Sequence, residues 1–240
     1  MRLDKYLADM NAGTRKELKT AIRKGLVTVD GQVVRDAGFH VTGNETISFD
    51  GEVIGYQAFE YYMLNKPAGV ISATEDKRHK TVLDLLGERR RRDLFPVGRL
   101  DIDTTGLLLI TNDGALAHRL LSPKHHVDKV YRATVTGTVS ESDIRAFAEG
   151  LRIDDGLTAM PAELRLLEVR QNSAEAVSFV EVTIREGKFH QVKRMFEAVG
   201  KKVLTLQRIS MGPLVLDKDL PEGKARPLTE GEIETLRSLS

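Results

Sequence analysis

The stretch Val97-Gly98-Arg99-Leu100-Asp101-Ile102-Asp103-Thr104-Thr105-Gly106-Leu107-Leu108-Leu109-Ile110-Thr111 joins a charged loop to an unbroken apolar run. That run is closed by Asn112-Asp113-Gly114 and has the length of a buried strand. It predicts a strand over residues 107–111 and a helix following through residue 121. Working outward, Tyr61-Tyr62-Met63-Leu64 predicts a second strand, ended by Asn65-Lys66-Pro67. Residues 130–136 and 177–184 alternate apolar and polar, as half-buried strands do. Thr81 is placed to cap a helix through about residue 90, Ser140 to start one of about ten residues, and a third is predicted over 190–199, before Gly200. Dense strands with scattered helices, lacking regular βαβα alternation, predict an α+β domain with a largely antiparallel sheet.

Residues 1–55 read as a separate small module. Leu3, Tyr6 and Leu7 recur with helical spacing until Asn11-Ala12-Gly13 breaks the pattern. Thr14-Arg15-Lys16-Glu17 is a capping box, which ties two orphan helix donors at once. The helix it opens carries Leu18, Ala21 and Ile22 on one face and Arg15, Lys16, Lys19, Arg23 and Lys24 elsewhere, with Gly25 to end it. Leu26-Val27-Thr28-Val29, Asp30-Gly31 and Gln32-Val33-Val34 then spell strand, type I′ turn and strand. A linker is placed at residues 56–60 and the larger domain at 61–240.

The chain has 240 residues, 36 lysines and arginines against 35 aspartates and glutamates, a formal net charge of +1 and no cysteine. Without cysteine there is no disulfide framework, thiolate metal site or Cys nucleophile. No stretch approaches a membrane span, and the mixed charges of the first nine residues do not resemble a signal peptide. A cytoplasmic location is expected. Neither Gly-x-x-x-x-Gly-Lys-Ser/Thr nor Gly-x-Gly-x-x-Gly occurs, so neither motif points to a nucleotide cofactor. Near-neutrality argues against a nucleic-acid binder until the distribution is examined. Residues 1–25, 77–99, 119–132 and 185–202 are each net positive and the remainder is acidic, with Arg89-Arg90-Arg91-Arg92 the one low-complexity run. A localised basic track is compatible with that pattern; uniform attraction to a polyanion is not.

Three segments concentrate glycine and charge between apolar flanks. Leu64-Asn65-Lys66-Pro67-Ala68-Gly69-Val70 reads, by itself, as a strand end with a Pro-Gly turn. In the second segment, an extended backbone would set Arg99, Asp101 and Asp103 on one face. Its plain structural reading makes residues 103–106 a hydrogen-bonded turn and Arg99–Asp101 an ion pair. Asp101, between Leu100 and Ile102, needs a specific partner if it is buried. In the third, Arg185 to Phe196, Val192, Met195, Phe196 and Val199 form an apolar helical stripe. The helix start presents Lys188, His190 and Lys193 or Arg194, an end that favours anions. The plain alternative is a solvated basic face with Lys193 paired to Glu197. Asp101 and Asp103 form an Asp-x-Asp pair of the kind that holds Mg²⁺, but no further carboxylate precedes Asp113 and the histidines form no ligand set. No metal site is expected.

The N-terminal Arg2-Leu3-Asp4-Lys5-Tyr6-Leu7, Thr14-Arg15, Ile22 and Gly25-Leu26-Val27-Thr28-Val29-Asp30-Gly31 together resemble an S4 RNA-binding domain. Residues 63–69, Gly98-Arg99-Leu100-Asp101 through Leu109, and Glu186 to Phe196 resemble the RsuA family of pseudouridine synthases, and the likeness covers nearly the whole chain. The resemblance implies an S4-like αα-hairpin module followed by a catalytic domain of the pseudouridine synthase fold, with a mainly antiparallel mixed sheet flanked by helices. It implies a cofactor-free isomerisation of a uridine in small-subunit (16S) rRNA, of the uridine-516 class. The substrate is free rRNA or a ribosome assembly intermediate, and the enzyme a monomer with no membrane partner. The family's single aspartate matches Asp101, which attacks the sugar C1′ or removes a sugar proton. In an enclosed site that role calls for a neighbouring cation. The matching position is Lys193, where many relatives carry Arg, with Arg194 as the fallback. Tyr131 matches the aromatic that stacks on the uracil, and Arg99 the residue that helps hold the flipped substrate. Arg2, Lys5, Arg15, Lys16, Lys19, Arg23 and Lys24 are the implied RNA contacts, gripping phosphate rather than reading sequence. Two rival readings predict different behaviour: a non-catalytic S4-type RNA-binding or assembly protein, indifferent to loss of Asp101, and a carboxylate–Mg²⁺ nuclease, silenced by chelator.

Overall fold

The computed structural model describes residues 1–87, 91–154, 156–171 and 176–239. Two compact units emerge, one of residues 1–60 and 87–94, the other of 61–86 and 95–240. In the first, α1 (Leu3–Asp9) and α2 (Arg15–Arg23) pack on a four-stranded sheet of β1 (Val27–Val29), β2 (Gln32–Val33), β3 (Ile47–Phe49) and β4 (Glu52–Val53), ordered β2-β1-β3-β4. Thr14 and Glu17 form the expected capping box. Asp30 and Gly31 both have positive φ, as a type I′ turn between β1 and β2 requires. Leu3, Tyr6, Leu7, Leu18, Ile22, Val27 and Ile47 fill the core, and the Tyr6 ring stacks on Tyr56 at 5.1 Å. The chain returns to this unit through its arginine run. Arg91 is buried, donates to both carboxylate oxygens of Asp93 and to the Gln57 carbonyl, and lies 5.8 Å over the Tyr56 ring. Arg89 and Arg90 lie outside the described residues.

The second unit is built on β5 (Tyr61–Lys66), β6 (Phe95–Pro96), β7 (Thr105–Thr111), β8 (Lys129–Thr136), β9 (Arg152–Asp154), β10 (Leu157–Thr158), β11 (Glu163–Gln171), β12 (Ala176–Ile184), β13 (Val203–Met211), β14 (Leu214–Val215) and β15 (Ala225–Pro227). Its main sheet runs β11-β12-β8-β13-β7-β5-β15, with β14 on β13 and β6 on β7, while β9 and β10 form a hairpin of their own. The pairing of β13 with β7 is parallel and the other pairings described are antiparallel, so the sheet is mixed but mainly antiparallel. The helices are α3 (Gly114–Leu121), α4 (Glu141–Glu149), α5 (Gln191–Ala198) and α6 (Glu230–Arg237). The strand read over residues 107–111 is wholly buried from Gly106 onward because both its faces are covered. Asp113 caps α3 by accepting from the Leu116 amide and also accepts from the Tyr61 hydroxyl at 2.9 Å. Among the described residues no helix is long and apolar enough to cross a membrane.

Two expectations are corrected. The helix predicted from Thr81 is a single 3-10 turn, Val82–Leu85: Thr81 and Asp84 do cap it, but Leu86 is already extended. Residues 101–104 are not extended either. The Thr104 amide donates to the Asp101 carbonyl at 3.1 Å, so the turn spans 101–104 rather than 103–106 and brings Asp101 and Asp103 together on one side of a bend.

Candidate active site

The sequence segment ending β5 fixes the loop that precedes β7. Lys66 is fully buried, and its Nζ donates to the carbonyls of Pro67 (3.0 Å), Asp101 (3.0 Å), Ile102 (3.4 Å) and Thr104 (2.9 Å). Burial lowers its pKa to about 8, against the pull of the Asp103 and Asp101 charges. The Gly69 amide donates to the Ile102 carbonyl at 2.7 Å, and the Ser72 hydroxyl both donates to the Leu100 carbonyl and accepts from the Leu100 amide. Residues 100–104 are thus held through five of their backbone polar groups by Lys66 at the end of β5 and by Gly69 and Ser72 just after it. In the sequence Lys66 belongs to the Asn65-Lys66-Pro67 stop after an apolar strand, and only a dense set of acceptors makes its burial tolerable.

A third element completes the arrangement. Glu186 is buried and accepts from the Met160 amide and from Gln191 Nε2, while Lys188 Nζ stands 2.9 Å from its other oxygen. Gln191 Oε1 in turn accepts from the Lys188 amide. These bonds clamp the turn before α5, where His190 adopts a left-handed backbone with φ 49°. Neither Glu186 nor Gln191 stands out in the sequence, because their work is to hold a turn against α5 and the loop after β10.

The turns face each other across an open cleft of about 70 Å³ lined by Arg99, Asp101, Thr104, Tyr131 and His190, among others. Lys193, on the first turn of α5, lies 3.2 Å from Asp101 Oδ2 and donates to Asp103 Oδ1 at 2.6 Å. Burial depresses the Lys193 ammonium, but hydrogen bonds and charge from Asp103 and Asp101 outweigh it and hold the pKa above the ordinary lysine value. The same bond from Lys193 holds the Asp103 carboxyl below its usual range. His190 Nε2 is 3.6 Å from Asp101 Oδ1, a charge pair when the ring is protonated. Lys193 is committed to these aspartates rather than to Glu197, and among the described residues Arg99 and Asp101 form no ion pair. Arg194 donates to the Phe189 carbonyl at 3.3 Å. Tyr131, on β8, is buried with its ring on the cleft wall. Thr104 is buried too, and its hydroxyl on the same wall has no hydrogen-bond partner. Arg99, Asp101, Tyr131 and Lys193, read from three distant segments, therefore share one site.

The basic residues of the first unit divide into two sets. Arg2 is paired through two bonds with the buried Asp4, and Lys5 with Asp9 at 3.0 Å. Arg15, Lys16, Lys19, Arg23 and Lys24 are exposed along α2 and just after it. Among the described residues none of these five holds an ion pair.

The RNA pseudouridylate synthase family matches residues 60–198, and the S4 domain family residues 1–47. An uncharacterized RNA pseudouridine synthase, YtzG of Bacillus subtilis (strain 168), is 46% identical over 238 residues, 98% of each chain. Ribosomal small subunit pseudouridine synthase A of Escherichia coli (strain K12) is 42% identical over 239 residues, 98% of this chain and 100% of the relative. A crystal structure of a pseudouridylate synthase superposes with a TM-score of 0.67 at 39% identity, over 98% of this chain and 99% of the other.

Proposed function

The chain belongs to the RNA pseudouridylate synthase family, in its RsuA type with an S4 domain, and we propose that it converts one uridine of small-subunit (16S) rRNA, of the uridine-516 class, to pseudouridine. The reaction breaks the uracil N1–C1′ bond, turns the base and rejoins it through C5, with the C5 proton lost and one gained at N1. It is an isomerisation, and nothing is oxidised. The observation that carries this reading is the Asp101 carboxylate, facing a cleft beside the Tyr131 ring and matched by the Lys193 ammonium at 3.2 Å.

Asp101 acts on the sugar, as the nucleophile at C1′ or as the base that removes a sugar proton. Lys193 and, when protonated, His190 compensate its charge. The clamp of Lys66, Gly69 and Ser72 fixes the backbone of its loop, so the carboxylate is positioned before substrate arrives. Tyr131 stacks on the flipped uracil, and Arg99, exposed at the cleft, holds the RNA around the vacated stack. The basic face of α2 grips phosphates of the rRNA or of an assembly intermediate. The enzyme works as a monomer in the cytoplasm, where that substrate is made.

Mapping pseudouridine in small-subunit rRNA with and without the gene tests the activity and its position together; an unchanged map at every uridine sinks the reading. Asp101→Asn is expected to lower product formation by more than about 10³-fold while RNA affinity changes less than about 2-fold. A variant that still modifies RNA at the wild-type rate would remove Asp101 from the chemistry.

A further inference from the structure

Beside the cleft, and outside its lining, stands Phe189. At 73% exposure it is the most exposed large apolar side chain among the described residues, although its neighbours Lys188, His190 and Gln191 all line the cleft. One face of its ring is covered by the His190 imidazole, at 3.7 Å between centroids and 20° between planes. The other face is open. A lone exposed hydrophobic residue on a flexible loop needs no explanation, but this ring is held firmly. The Glu186–Gln191–Lys188 bonds clamp the turn that carries it, Arg194 donates to its own carbonyl, and the following residue accepts a left-handed backbone. The strain and the clamps therefore present the ring to solvent, not to a core. Lys188, Lys193 and Arg194 lie within five residues of it, Lys188 paired with Glu186 and Lys193 with Asp101 and Asp103.

A flat apolar ring, stacked on one side and open on the other, suits the face of a nucleobase. The stack it would extend leads inward, because His190 Nε2 is 3.6 Å from Asp101. When a uridine leaves its helix for the cleft, the adjoining base loses a stacking partner, and an open ring at the rim replaces it. We propose that the open face of Phe189 is a stacking subsite for the base next to the target uridine on the same strand. This rests on the pseudouridylation reading above. The subsite offsets part of the cost of extruding the uridine, and it favours a neighbour with a large π-face.

The test uses the full chain and an rRNA fragment carrying the mapped uridine, with the native sequence or with an abasic nucleotide immediately before or after the target. For the wild type, kcat/KM is expected to fall about 10-fold on one of the two abasic fragments. Phe189→Ala is expected to lose about the same factor on native RNA and nothing further on that abasic fragment, with Phe189→Trp close to wild type. The melting temperature of Phe189→Ala stays at the wild-type value, since no core contact is removed. A merely structural ring would not produce this coupling. Equal activity of Phe189→Ala and wild type on native RNA, or an abasic penalty that persists in the variant, overturns the subsite and leaves the enzyme reading standing. A loss seen on assembly particles but not on the RNA fragment assigns the ring to a protein partner and likewise overturns it. Wild-type protein that modifies no fragment and no rRNA overturns the enzyme reading, and the subsite with it.

Discussion

Lys129 is a buried lysine whose ammonium donates to the Val127 carbonyl at 3.0 Å and has the buried Arg208 for a cationic neighbour. Burial first, and then the Arg208 charge, lower its pKa to about 8. An unfolded lysine titrates near 10.4, so between about pH 8 and 10.4 the unfolded chain binds more protons at this position than the native one. Stability contributed here therefore rises with pH across that window, and below about pH 8 the fold carries the full cost of a buried charge. In urea unfolding of wild type and Lys129→Met at pH 7, 8, 9 and 10, the difference should be constant from 7 to 8. Above that it should move in favour of wild type by about 1.4 kcal/mol per unit; a difference flat to pH 10 contradicts the assignment. The same physics divides what the sequence disclosed about the site from what it hid. Asp101, Arg99, Tyr131 and Lys193 could be named because a charged residue among apolar neighbours stands out and because the surrounding motifs resemble a known family. Lys66 and Lys129 could not be interpreted, since a buried ammonium depends on carbonyls that only the folded chain supplies. The choice of Lys193 for Asp101 likewise rests on geometry, because adjacent residues on a helix point about 100° apart.

Among the elements, β7 has the least room for change. Gly106 has φ +97°, and a Cβ there would sit 2.3 Å from the Arg208 carbonyl oxygen and 3.0 Å from the Arg208 amide nitrogen, both backbone atoms of the parallel neighbour β13. Neither strand can retreat, since β7 is also paired with β5 and β13 with β8. Gly106→Ala is expected to cost more than about 3 kcal/mol, or roughly 6–12 °C in melting temperature. A calorimetric scan that matches wild type would show that the strands separate more easily than their pairing implies. The strand itself was legible from its apolar run, as were β8 and β12 from alternation, α2 from Thr14-x-x-Glu17, and α4 from Ser140 at its start, where the structure adds Asp143 as the other half of a capping box. The same box at Thr229 and Glu232 marks α6 and could have been read in the same way. Residues 81–90 show where such signals stop: the Thr81–Asp84 box is real, but a cap sets where a helix begins and not how far it continues. The bend at 101–104 was hidden for a different reason. Its conformation is imposed by Lys66, Gly69 and Ser72, some thirty residues upstream, and no local pattern records that.

For the molecule as a whole, a net charge of +1 gives no general attraction to RNA, so affinity has to come from local clusters of free cations. Ion pairing decides which cations are free. Arg2 and Lys5 are engaged by Asp4 and Asp9, and Arg91, from the most basic run in the chain, is buried on Asp93 in the same unit. Composition could not make that distinction, because a lysine count does not reveal which lysines are neutralised. The division of the chain had the same limit: a separate N-terminal module was legible from its own helix and hairpin signals, but the return of residues 87–94 to it was not, since that depends on Arg91 finding Tyr56, Gln57 and Asp93. On α2, by contrast, Lys16, Lys19 and Arg23 are exposed and outside any ion pair among the described residues. Each phosphate contact releases about 0.7 counterion on single-stranded RNA and about 0.9 on a duplex. The triple change Lys16→Ala, Lys19→Ala, Arg23→Ala should therefore reduce the slope of log affinity against log salt by about 2–3. Arg2→Ala with Lys5→Ala should reduce it by less than about 1, because those charges are already compensated. Pseudouridine formation at saturating RNA should be unchanged in the triple variant, since none of its residues belongs to the cleft at Asp101. Fluorescence titrations of an rRNA fragment between 50 and 300 mM salt, with single-turnover rates alongside, separate the two effects. Equal slope losses for the two variants would show that the Arg2–Asp4 and Lys5–Asp9 pairs open on RNA, and a fall in the saturated rate would place α2 in the chemistry rather than in capture.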